Sequence, residues 1–125
     1  MLFRSDHGAL LVFDEVISGF GRTGQWFGAQ HFGVTPDLIT FAKGVTSGYL
    51  PLSGVIASRQ VCEAFEEPGF VFRTGYTYPG HPASCAAGTA NLELMDVEGL
   101  AERANHEIGR ASGRERGGIS GGAGA

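Results

Sequence analysis

Lysine is all but missing from this 125-residue chain: Lys43 is its sole lysine, and arginine supplies the remaining basic charge. Nine Lys+Arg against thirteen Asp+Glu leave a net charge of −4, and the basic residues are scattered rather than striped. That distribution excludes the electrostatic footprint of a nucleic-acid binder. Cysteine is scarce as well. Cys62 and Cys85 stand in unrelated segments without metal-ligand spacing, which argues against a disulfide framework and for buried or half-buried thiols in a reducing cytoplasm. His7, His31, His81 and His106 share no metal spacing either, so no metal is expected. No apolar run approaches a membrane span, and Met1-Leu2-Phe3-Arg4 leads into Ser5-Asp6-His7-Gly8 without a signal-peptide core; a soluble protein without membrane contact is expected. The length allows one modest core.

What the chain does have is a sequence of short apolar runs. Residues 9–13 form a continuous run ended by two acids, Asp14 and Glu15, which reads as a strand buried on both faces in a parallel sheet. A glycine-rich stretch follows over residues 19–28, with a short helix expected over 26–31. Pro36-Asp37 then introduces a second run, residues 38–42, with Lys43 at its end. The span between the runs suffices for a right-handed crossover, so the two strands can be parallel and bring Asp14 and Lys43 to the same sheet edge. Adjacent strand ends lie about 4.8 Å apart, the scale of one aromatic ring. A third run, 53–57, follows too soon for another crossover and is expected to pair antiparallel. Helices are predicted over 59–65, over 82–97 with Pro82 in the first turn and Gly99 beyond the end, and over 100–108. The fold class is α/β: a mixed, mostly parallel sheet flanked by helices. From residue 109 onward the chain has no apolar periodicity. The run 108–116 also resembles a translated sequencing adapter, so 109–125 is expected to be a non-native or disordered tail following a 1–108 fold.

Lys43 and Asp14 carry the chemistry. A lysine amine freed of its proton condenses with an aldehyde, and burial or a neighbouring cation favours the free amine. Position alone reads Lys43 as a solvent-facing lysine; Asp14 is what changes the reading. A carboxylate beside a pyridine nitrogen keeps the ring protonated and makes it an electron sink. Together the two residues suit pyridoxal 5'-phosphate. Val16, two residues beyond Asp14, can press on a ring or simply pack in the core. Gly75-Tyr76-Thr77-Tyr78 offers backbone N–H groups and hydroxyls for a phosphate just ahead of the Pro82 helix, although Thr77 taken alone reads as a turn residue. Gly19-Phe20-Gly21-Arg22-Thr23-Gly24 matches the dinucleotide-binding G-x-G-x-x-G pattern, but no long helix follows Gly24 and no acid ends the next strand. Its glycines are expected to shape a loop.

With these residues assembled, the chain resembles class III pyridoxal-phosphate aminotransferases, the fold type I group that includes omega-amino-acid:pyruvate transaminases. The likeness runs from about His7 to Glu107 and rests on Leu-Val-Phe-Asp-Glu-Val, Gly-Phe-Gly-Arg-Thr-Gly, Pro-Asp-Leu-Ile-Thr-Phe-Ala-Lys-Gly, and Gly-Tyr-Thr-Tyr followed by Gly-His-Pro. The resemblance implies that Lys43 is the Schiff-base residue and general base, that Asp14 meets the pyridine nitrogen and that Val16 packs on the ring. It further implies that Thr77, with Tyr76 beside it, serves the cofactor phosphate of the neighbouring subunit in a homodimer. An amino donor and a keto-acid acceptor are the implied small-molecule partners. Ile17 stands where ornithine and 4-aminobutyrate transaminases carry a glutamine, which sides with the omega-transaminase branch. Glutamate-1-semialdehyde aminomutases and dialkylglycine decarboxylase share the lysine and remain the alternative. The family's amino-terminal phosphate loop and carboxyl-terminal domain are not represented, so the chain is expected to be the central part of the large domain of a longer enzyme, inactive on its own.

Overall fold

The computed structural model describes residues 6–107. The expected 109–125 tail lies outside them. Strand β1 (Val12–Asp14) pairs in parallel with β2 (Leu38–Phe41), and β2 pairs antiparallel with β3 (Gly54–Ala57), giving the sheet order β1-β2-β3. The mixed sheet predicted from the three apolar runs is thus present. Asp37 fixes where β1 starts: its Oδ2 accepts from the Leu11 N–H at 2.6 Å, while the Asp37 and Leu38 N–H groups donate to the Leu11 carbonyl.

The crossover from β1 to β2 contains a short helix, α1 (Gly28–His31), two residues shorter than the sequence suggested. Ser58 caps α2 (Arg59–Glu63) by accepting from the Val61 N–H, as its type favours at that position. Helix α3 (Pro82–Val97) has the predicted limits, with proline in its first turn and Gly99 just beyond it at φ +58°. A left-handed glycine there ends the helix at no steric cost. Residues 100–107 form α4.

Among the described residues the buried apolar side chains are Ala29 on α1 and Val45, Met95 and Ala101, the last three where α3, α4 and the loop after β2 lie. One expectation fails. Residues 9–13 are not buried on both faces: Val12 is 55% exposed and Val55, on the opposite edge strand, 58%. The run is apolar enough for an interior strand, but no element among the described residues covers that side of β1.

The Gly-Phe-Gly-Arg-Thr-Gly stretch is a loop, as expected from its context. Gly21 and Gly24 are buried with φ of +89° and +80°. A Cβ on Gly24 would stand 2.9 Å from the Asn105 Cα on α4, so the glycine is needed both for its backbone conformation and for the approach of the helix. Gly24→Ala is expected to destabilise the protein by about 2–3 kcal/mol, read as a lowered denaturation midpoint.

Candidate active site

The site forms where β1 and β2 end. Their register sets Asp14 opposite Thr40, and the Thr40 hydroxyl donates to Asp14 Oδ1 at 3.3 Å while the Val16 N–H donates to the same oxygen at 3.1 Å. Two donors therefore hold one carboxylate oxygen. Among the described residues Oδ2 accepts no hydrogen bond, and Asp14 is exposed. A carboxylate held by one oxygen and open at the other can accept a further N–H donor.

Lys43 does not end the strand. β2 stops at Phe41, Ala42 is extended, and Lys43 opens a 3₁₀ turn, Lys43–Thr46, with φ +42°. The lysine is exposed rather than buried, and among the described residues its amine has neither a hydrogen bond nor an ion pair. It borders two clefts. The larger, about 980 Å³, is lined by Val16, Thr40, Lys43, Tyr76 and His81; the smaller, about 610 Å³, by Phe20, Arg22, Lys43 and Met95.

Val16 is half-buried and faces the larger cleft, in the company of Lys43. Thr77 is less tightly placed. The whole of residues 68–81 is exposed, and in this stretch Tyr76 and Tyr78 line the cleft whereas Thr77 does not. Ile17 is 71% exposed. The structure thus sets Val16, Lys43 and Tyr76 on one cleft, with Asp14 bonded to Thr40 on its wall, and does not include Thr77 in the lining.

Two residues that organise the site escaped the sequence reading. Glu15 is 1% exposed, and its carboxylate accepts from the Gly28 N–H at 2.9 Å, the Ala29 N–H at 2.7 Å and the Ser18 hydroxyl. It ties the end of β1 to the first turn of α1, satisfying amides that a helix start leaves unpaired. The second is Asn91 on α3. Its Nδ2 donates to the Gly44 and Val45 carbonyls at 3.0 and 3.1 Å. Ser18, three residues after Glu15, was the available hint for the first; nothing local signals the second.

The family model for class-III aminotransferases matches residues 3–112. The chain belongs to this family. It is 52% identical over 103 residues to the omega-amino acid–pyruvate aminotransferase of Pseudomonas putida, an alignment that covers 78% of this chain and 23% of that protein. Among solved structures, the (S)-enantioselective omega-transaminase of Thermomicrobium roseum matches with a TM-score of 0.76 at 50% identity, over 79% of this chain and 22% of its own. A Bacillus anthracis aminotransferase matches with a TM-score of 0.87 at 44% identity, over 95% of this chain and 27% of its own. This class-III aminotransferase chain thus has the fold of part of the large domain of a fold type I transaminase, as its motifs implied. It spans about a fifth of the length of the curated relatives it matches. Among the described residues no helix is long and apolar enough to cross a membrane, and no group of three or more side chains is arranged for a metal.

Proposed function

We propose that this chain contributes the lysine and the ring-binding wall of a pyridoxal 5'-phosphate site in a longer aminotransferase, which moves an amino group from an amine or omega-amino acid to a keto acid. The observation that carries this reading is the unpaired amine of the chain's sole lysine, in one cleft with Val16 and Thr40, the latter bonded to Asp14. The residues fit the cofactor: an aldehyde needs a free amine, a pyridine nitrogen needs an open carboxylate oxygen, and a ring face needs an apolar neighbour. When bound, the cofactor supplies an electron sink for the carbon that loses its proton.

The chain's own residues then divide the work. Lys43 would hold the cofactor through its aldehyde, and its amine would then move a proton as general base and acid. Asp14 would meet the ring nitrogen, with Thr40 and the Val16 N–H fixing the orientation of its carboxylate. Val16 would cover one ring face and exclude water from it. Thr77 and Tyr76, on an exposed stretch, would serve the phosphate of a second subunit in a homodimer, which is compatible with Thr77 not lining the cleft of its own chain. The relatives' names support an omega-amino donor and a keto-acid acceptor such as pyruvate. They favour transfer over isomerisation or decarboxylation. Two free cysteines suit a cytoplasmic enzyme.

Asp14→Asn in the full-length protein is expected to retain the cofactor and lower the rate of amino transfer by about a hundredfold. Steady-state assay with alanine, pyruvate and omega-amino acids checks this, and an unchanged rate removes Asp14 from the assigned role.

A further inference from the structure

Lys43 lies between two clefts, is exposed, and has no partner for its amine among the described residues. Nothing at the tip of the side chain selects the cleft in which the amine sits. The backbone must do so. Lys43 has φ +42° and Ser47, at the far end of the same turn, φ +50°, conformations that side chains other than glycine adopt only where the surroundings hold them. The Gly48 N–H donates to the Lys43 carbonyl at 3.1 Å and the Ser47 N–H to the Gly44 carbonyl at 3.1 Å, but these are bonds of the turn to itself.

The external hold comes from two sides. On one, Phe20 packs against Gly44, where an added Cβ would stand 3.0 Å from the Phe20 Cβ. On the other, Asn91 reaches from α3. Its Nδ2 bonds the carbonyls of Gly44 and Val45, the two residues immediately after the lysine, and its Oδ1 accepts from the Ser47 hydroxyl at 2.6 Å. One amide side chain thereby grips the turn at three points, two adjoining the lysine and one at the opposite end. A sixteen-residue helix is a rigid anchor for such a grip.

We propose that Asn91 is a positioning residue for Lys43: its amide locks the 3₁₀ turn between its two positive-φ ends and so aims the lysine amine into the cleft lined by Val16 and Thr40. The inference rests on the proposed role of Lys43. Holding a reacting group in a near-attack geometry strongly accelerates its reaction, and a misplacement of about 1 Å costs about a hundredfold. Asn91 acts through the backbone and touches neither substrate nor cofactor.

The test uses the full-length apoenzyme and two forms of the cofactor. Pyridoxal phosphate is added, samples are reduced with borohydride over time, and the modified Lys43 peptide is quantified by mass spectrometry. Binding of pyridoxamine phosphate, which cannot condense with a lysine, is measured by fluorescence titration. In Asn91→Ala and in Asn91→Asp, whose carboxylate faces the two carbonyls without a donor, the rate of capture on Lys43 is expected to fall about tenfold or more while pyridoxamine phosphate affinity stays within about twofold. Capture at the wild-type rate, or a parallel loss of both readouts, overturns the proposal, since a residue that merely supports the fold affects both forms alike. Should the Asn91 variants not fold, Ser47→Gly decides. It suits the left-handed backbone and removes the small exposed side chain whose hydroxyl bonds Asn91, so a loss of about threefold in capture alone is expected, and no loss overturns the proposal. If the wild-type protein captures no cofactor on Lys43, it is the proposed function that fails.

Discussion

Replacing Lys43 with alanine in the full-length protein is expected to abolish covalent capture of pyridoxal phosphate and to lower amino transfer by about a thousandfold or more. The effect should be chemical, not structural. Lys43 is exposed and its amine bonds to nothing else among the described residues, so truncation forfeits no packing and leaves the backbone of the turn as it was. Alanine keeps the Cβ, and with it the same steric cost at φ +42°. The denaturation midpoint of the apoprotein should therefore stay close to the wild-type value while the visible-edge absorbance of the bound cofactor disappears. Lys43→Arg separates charge from nucleophilicity: it retains a cation in the cleft but offers no amine that can lose its proton near neutrality. Both variants should fail alike. Appreciable transfer by either one, with the cofactor bound, places the condensing amine elsewhere.

Glu15→Ala is expected to have the largest effect on stability, a loss of about 3 kcal/mol or more. The carboxylate is buried and accepts from two backbone amides at the start of α1 and from Ser18. Removing it takes the acceptor from the N–H groups of Gly28 and Ala29, both buried, and each such orphan costs about 1–3 kcal/mol. Glu15→Gln keeps the shape but only one accepting oxygen, so it should cost about 1–2 kcal/mol. Urea denaturation of the two variants beside wild type checks both figures. A neutral Glu15→Ala would mean that α1 finds another cap.

How far the sequence reveals this structure depends on the range of the interactions involved. α3 is legible at both ends because its signals are local: Pro82 in the first turn and Gly99 after the last. The parallel and antiparallel pairings follow from the lengths of the connections, which are equally local information. The 3₁₀ turn at Lys43, entered at positive φ, is different. Its hold comes from Asn91, 47 residues away from Gly44, and a helical asparagine carries no mark of its target. Glu15 reaches 13 and 14 residues to α1, beyond the range of any capping pattern. The exposure of β1 was misread because an apolar run reports what the strand can bury, not what lies against it within a given chain. Asp14 was legible as a strand-end acid, yet the division of its two oxygens, one held and one open, depends on Thr40 across the sheet.

The adjacent acids Asp14 and Glu15 also act as a proofreading device. Successive residues of a strand point to opposite faces, and here one carboxylate is exposed at the cleft edge while the next is sealed under a helix. Sliding β1 by one residue along β2 exchanges the two. Asp14, one methylene shorter, then falls short of the α1 amides, and Glu15 loses its donors to face water. Such a slip forfeits the bonds that Glu15 makes to Ser18 and to the α1 amides, so two neighbouring acids of similar chemistry favour the observed alignment over its neighbours.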